Sequence, residues 1–214
     1  MYHRANHFEE TSLLISLDAA HEALSRHFTT LWYVVDGARS DYQTKIPADM
    51  KAIASARSRA SFVHDLMVKR AIEMSETTPG VSYSRLRMMF VLIFRSSNGI
   101  IAVRLKKLNE MGVSQNNPTK QVMDFRNQAI IPELEAHYHL EIGYILSPAQ
   151  DRIQSIELVC PSGDNVYWMV EITPMGAREN VFNLWEHRGV EEQRGDGFTV
   201  TSRRIRSDKN ESTG

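Results

Sequence analysis

Around Thr77-Thr78-Pro79-Gly80 the spacing of apolar residues changes from steps of three and four to strand-like alternation, which divides the chain into a helical part and a β-rich part. Upstream, Leu13, Leu14, Leu17, His21, Leu24, Phe28, Leu31, Trp32 and Val35 share one helical face and predict a helix over 9–38, with Gly37 near its end. Pro47 suits a first helical turn, and a second stripe of Met50, Ile53, Ala60, Val63, Met67, Ala71 and Met74 predicts a helix over 47–77 packed antiparallel on the first. Thr77-Thr78-Pro79-Gly80 stops it.

Downstream, Met88–Arg95 and Ile100–Leu108 are β-rich runs joined through Asn98-Gly99, a favoured hairpin turn. On the returning strand Ile101, Val103 and Leu105 share one face, expected in the core, and Ala102, Arg104 and Lys106 the other, expected in water. Asn117-Pro118 resembles a cap and first-turn proline for a short helix over 118–129. Leu140–Leu146, Ile153–Cys160 and Val166–Ile172 complete about five strands. The fold class predicted is α+β, with an N-terminal antiparallel helical hairpin packed on a mostly antiparallel sheet. Residues 1–80 are expected to form the hairpin, 81–175 the β-rich core with one short helix, and 176–214 a C-terminal extension, partly mobile, and the length of the helices invites a homodimer.

With 42% hydrophobic and 24% charged residues, the 214-residue chain has the balance of an ordinary globular domain rather than a disordered or fibrous one. The run Met88–Phe94 is too short to cross a bilayer, and the N-terminus has no secretory pattern, so a cytoplasmic protein that avoids membranes is expected. One cysteine, Cys160, allows no internal disulfide and reads as a small buried side chain before Pro161. No glycine-rich phosphate loop or HExxH helix occurs, and no cofactor is implied.

Charge is uneven although the formal net is −1: from Arg39 to Arg126 there are 15 Lys or Arg against 7 Asp or Glu. A basic middle meets phosphate by counterion release, or meets the chain's own acidic ends. Arg85, Arg87, Arg95, Arg104, Lys106 and Lys107 are expected to gather at one end of the first hairpin as an RNA- or DNA-binding patch.

Arg59-Ala60-Ser61-Phe62-Val63-His64 resembles the Arg-x4–6-His motif of HEPN ribonucleases, which implies His64 as proton carrier and Arg59 as phosphate ligand. The resemblance covers six residues, and the β-rich half that follows departs from an all-helical bundle. Glu133, Glu135, His137, His139 and Glu141 fall at every second position and, if extended, share one face; Glu135, His137 and His139 are the candidate metal ligands of a metal-dependent enzyme, against a solvated strand edge.

The run Arg104-Leu105-Lys106-Lys107-Leu108, with Asn117-Pro118-Thr119, Asp124-Phe125, Gln128, Gly143-Tyr144, Cys160-Pro161 and Trp168, resembles a group of bacterial mobile-element proteins over about residues 60–172. Their relatives accompany repressor-like and ImmA/IrrE-type peptidase proteins. The resemblance implies a role in toxin–antitoxin or phage-defence regulation and carries over no catalytic residue. The leading expectation is a non-enzymatic interaction protein of such a module, binding a protein partner and, through its basic middle, nucleic acid. The alternatives are a ribonuclease using Arg59 and His64, and a metal-dependent enzyme.

Overall fold

The computed structural model describes residues 14–114 and 119–177. The first helix, α1 (Leu17–Leu24), begins where the Ser16 hydroxyl accepts from the Ala19 N–H, later than the predicted start at 9; residues 9–13 lie outside the described ones. A 3-10 turn, Ser25–His27, joins it to α2 (Phe28–Lys45), which runs straight through Gly37. A Cβ there would lie 2.5 Å from an Arg70 guanidinium nitrogen, so glycine clears the path by which Arg70 reaches Asp41 at 2.9 Å.

The predicted helix over 47–77 is two helices, α3 (Ala48–Ile53) and α4 (Ala56–Thr77), because Ser55 accepts from the Ser58 N–H and restarts the chain. Met50 and Ile53 (81% exposed) therefore leave the expected stripe, while Val63, Met67, Ala71 and Met74 stay buried. The helices α2 and α4 run antiparallel, with Tyr42 against Phe62 and Asp41 against Arg70.

The sheet is mixed: β1 (Val81–Leu86), β2 (Met89–Ser96), β3 (Gly99–Lys107), β4 (Tyr138–Leu146), β5 (Ile153–Ser162), β6 (Asn165–Thr173) and the two-residue β7 (Gly176–Ala177) lie side by side in chain order. Six long strands replace the five expected. The missed one, β1, pairs with β2 through a turn in which Arg87 has φ 53°, without the Asn-Gly or Gly signature of such turns. All pairs are antiparallel except β3 with β4.

A parallel pair needs a crossover, and here it carries α5 (Lys120–Arg126) onto the face away from α1, α2 and α4. Thr119, not Asn117, caps α5 by accepting from the Val122 N–H; Asn117-Pro118 lies outside the described residues. The main core lies between the helices and one face of the sheet, from Phe28, Leu31 and Met67 to Leu92, Val103, Ile142 and Trp168. Trp168 Nε1 donates to the Ile15 carbonyl at 2.8 Å and so fastens the segment before α1 to β6. Cys160, with its thiol pushed up to about 12 by burial, lies in this core. The other face, expected to be wet, is covered as well: Phe125 of α5 packs with Val91, Ile93, Ala102, Ile131 and Leu134.

Beside Phe125 the second face buries an ionic network. Arg104 of β3 and Glu141 of β4 are Cα partners in the parallel register, and Arg104 donates to Glu141 Oε1 at 3.2 Å. Arg126 of α5 donates to Glu141 Oε2 at 2.9 Å, as does the Ser114 hydroxyl. Removing one partner of a buried pair costs about 3–5 kcal/mol, because the charge left behind is desolvated and uncompensated. Glu141→Ala is therefore expected to lower the unfolding free energy by about 3–5 kcal/mol, read in urea as a lower midpoint with an unchanged m-value; a loss of less than ~1 kcal/mol would contradict this role.

Candidate functional site

The register separates the cations expected to form one patch. Arg95 pairs with Ile100 at the turn end of the β2–β3 hairpin, whereas Arg85 and Arg87 lie at the opposite end of β2, where Arg85 pairs with Phe90 and sits 5.6 Å from its ring centroid. Arg104 (3% exposed) is buried, bound to Glu141 and 5.0 Å from the Phe125 ring, so it offers no surface for a phosphate. Lys106 lies on the same covered face, its ammonium lowered to about 8 by burial and then by Arg104. Alternation sends Lys107 to the helix side of the sheet.

On the helix side Lys107 meets two arginines that reach it from different helices. Arg39 of α2, Arg59 of α4 and Lys107 of β3 line one small niche together with Tyr144 of β4 and Gln150. Burial first, then the charges of Arg59 and Arg39, lowers the Lys107 pKa. Arg39 donates to the carbonyls of Asp151 at 3.0 Å and Gln150 at 3.4 Å, and Arg59 to that of Ala54 at 2.8 Å. These carbonyls orient the guanidiniums without neutralising them. Among the described residues none of the three cations has a carboxylate in an ion pair. Among the described residues Arg39 Nε and the Tyr42 hydroxyl are buried without a hydrogen-bond partner, and the Arg39 guanidinium carbon is 5.4 Å from the Tyr42 ring centroid.

The niche adjoins a cleft of about 760 Å³, with which it shares Ala56, Ala60, Lys107, Leu146 and Gln150. Arg57 and Glu110 add one charge of each sign to the cleft, and Leu108, Met111, Ile145 and Pro148 give it apolar walls. A concave surface with apolar walls and a few convergent charges is the usual form of a ligand site. The niche, where three cations gather and no acid lines the wall among the described residues, selects anions.

The other candidates are placed elsewhere. Arg59 lines the niche, but His64 lines a second cleft of about 780 Å³ between α4 and the β1–β2 hairpin, with Arg85, Arg87 and Met88. Five residues along a helix turn a side chain well away from its predecessor, so Arg59 and His64 are not brought to one site. Burial, then the charge of Lys106, lowers the His64 pKa against the opposing effect of Asp65, 3.7 Å away.

The expected extended face through 133–141 does not form. Pro132–Leu134 is a 3-10 turn and Glu135 is left-handed at φ 49°. Glu135 and His137 are exposed, and His137 Nδ1 accepts from the Ile100 N–H. His139 is buried, stacked on Phe125 at 4.4 Å, with Nδ1 donating to the Phe125 carbonyl; burial lowers its pKa. Among the described residues no group of three His, Cys, Asp or Glu side chains is arranged to hold a metal ion.

Sequence reasoning singled out Arg59 and Lys107 but missed Arg39 and Tyr144 as their companions. Arg39 stands at a helical position with no motif around it, and only the tertiary fold brings α2 to β3 and β4. Since a neighbouring cation disfavours the charged ammonium, Arg59→Ala is expected to raise the Lys107 pKa; a titration of its Nζ signal by NMR that stays put or moves down would contradict the cluster.

Among the described residues no helix is long and apolar enough to cross a membrane. No family model, curated protein or solved structure matches this chain.

Proposed function

We propose that this protein is a non-enzymatic binding protein whose ligand is nucleic acid, taken at the cleft between α2, α4 and the adjoining ends of β3 and β4. The observation that carries this reading is the set Arg39, Arg59 and Lys107, three cations lining one niche without an ion-paired carboxylate among the described residues. Holding them together is unfavourable in the free protein, and an anion relieves that repulsion. The walls beside them, formed by Leu108, Ile145 and Pro148, suit the face of a base while the cations meet the backbone. Among the described residues the cleft itself is lined by no aromatic ring, and the one in the niche, Tyr144, is only 1% exposed, so affinity rests on phosphate contacts and apolar contact rather than on stacking. The resemblance to mobile-element proteins suggests a toxin–antitoxin or phage-defence setting, in which a protein partner would act alongside the nucleic acid.

Single-stranded binding through three phosphate contacts gives a salt slope of about −2 in log K against log[salt]. The expected result is salt-sensitive binding of a labelled single-stranded RNA or DNA, weakened by Arg59→Ala/Lys107→Ala with a shallower slope, and little changed by Arg95→Ala at the far end of β2. Filter binding or fluorescence anisotropy across a salt series measures it. No binding at low salt, or equal loss with Arg95→Ala, would overturn the assignment.

A further inference from the structure

The niche behind the cleft has features that an internal phosphodiester does not use. It has room for about one water, about 10 Å³, and Tyr144, only 1% exposed, is part of its wall. It is lined by three cations and, among the described residues, by no Asp or Glu side chain. An internal phosphodiester carries one negative charge, whereas a terminal phosphomonoester carries about −1.5 to −2 at neutral pH and three oxygens free to accept hydrogen bonds. The dianion is the better match to three gathered cations.

We infer that the niche receives the terminal phosphate of a nucleic-acid strand, with Arg39, Arg59 and Lys107 as its ligands, an inference that rests on the nucleic-acid reading above. One phosphate oxygen enters the niche. The rest of the phosphoryl group stays in the cleft beside Lys107, which lines both spaces, and the first nucleotide lies along the apolar wall of Leu108, Ile145 and Pro148. Arg39 is oriented for this by the Gln150 and Asp151 carbonyls, and Arg59 by that of Ala54. Planar guanidiniums held by carbonyls on one edge present their remaining N–H groups in a fixed direction, the geometry suited to phosphate oxygens. The lowered proton affinity of Lys107 agrees with this, because a dianion beside it restores the charged form.

The test uses the full chain and four versions of one 12-nucleotide strand, as RNA and as DNA: a 5′-phosphate, a 3′-phosphate, both, or hydroxyl groups at both ends, with an internal fluorescent label. Anisotropy is read at fixed salt and pH, for the native chain and for Arg59→Gln and Lys107→Gln. The expected result is about tenfold tighter binding of a strand phosphorylated at one of the two ends, with that advantage lost in both variants. Which end gives the advantage identifies the polarity of the bound strand. Equal, salt-sensitive binding of all four strands would overturn the terminal-phosphate inference and leave the nucleic-acid reading standing. No binding of any strand would overturn both. Circular dichroism spectra of the variants that match the native chain separate loss of a ligand contact from loss of fold.

Discussion

The carboxylate of Glu141, fully buried and shared between Arg104 and Arg126, is the interaction on which the two-sided architecture depends. It sits on β4 directly across from Arg104 on β3, in the one parallel pair of the sheet, and Arg126 reaches it from α5 in the crossover between those strands. One acidic residue therefore ties together the two strands and the helix that joins them. Arg126 extends the tie by donating to the carbonyls of Gly163 and Asn165 at the β5–β6 turn, and Gln128 bridges the carbonyls of His139 and Pro161. Without these bonds the crossover would hold the second face through apolar packing, by Phe125, Ile131 and Leu134 in one cluster and by Val113 against Leu108, Ile145, Val159 and Val166 in another.

The same network sorts the basic residues of the middle of the chain. Arg104 and Arg126 are consumed inside the fold, and Arg70 and Lys45 share Asp41, whose carboxyl they hold below the usual range. Arg39, Arg59 and Lys107 are built into elements that bring them together and leave them without an acid among the described residues. Crowding these three cations in one niche carries a cost that a bound anion offsets, which is why the ligand site is placed here rather than along the β2–β3 hairpin. Arg85 and Arg87, by contrast, share their cleft with the carboxylates of Asp65, Glu73 and Glu76.

Much of the fold was legible because periodicity reports burial. The stripe Leu24, Phe28, Leu31 and Val35 and the strands around Val103, Ile142, Leu158 and Val170 are core residues, as their spacing indicates. What escaped was set by pairing rather than by pattern. Alternation in β3 assigns Arg104 to water unless the partner strand is known to be parallel, since only the parallel crossover covers that face. Ser55 breaks the second helix by a local cap that the longer apolar stripe hides. At the site, Arg59 and Lys107 stood out as charges, but Arg39 and Tyr144 have no local signature. His137 and His139 differ in burial because the chain turns at Glu135 before it extends.

The division between satisfied and crowded cations is tested most directly by urea denaturation of Lys107→Met and Arg104→Met at low and high salt. Lys107→Met is expected to be as stable as the native chain or more so, with any gain largest at low salt, because it removes a like-charge contact that salt screens. Arg104→Met is expected to be less stable at both salt concentrations, because its partner is buried and poorly screened. Equal losses from the two substitutions would contradict the account.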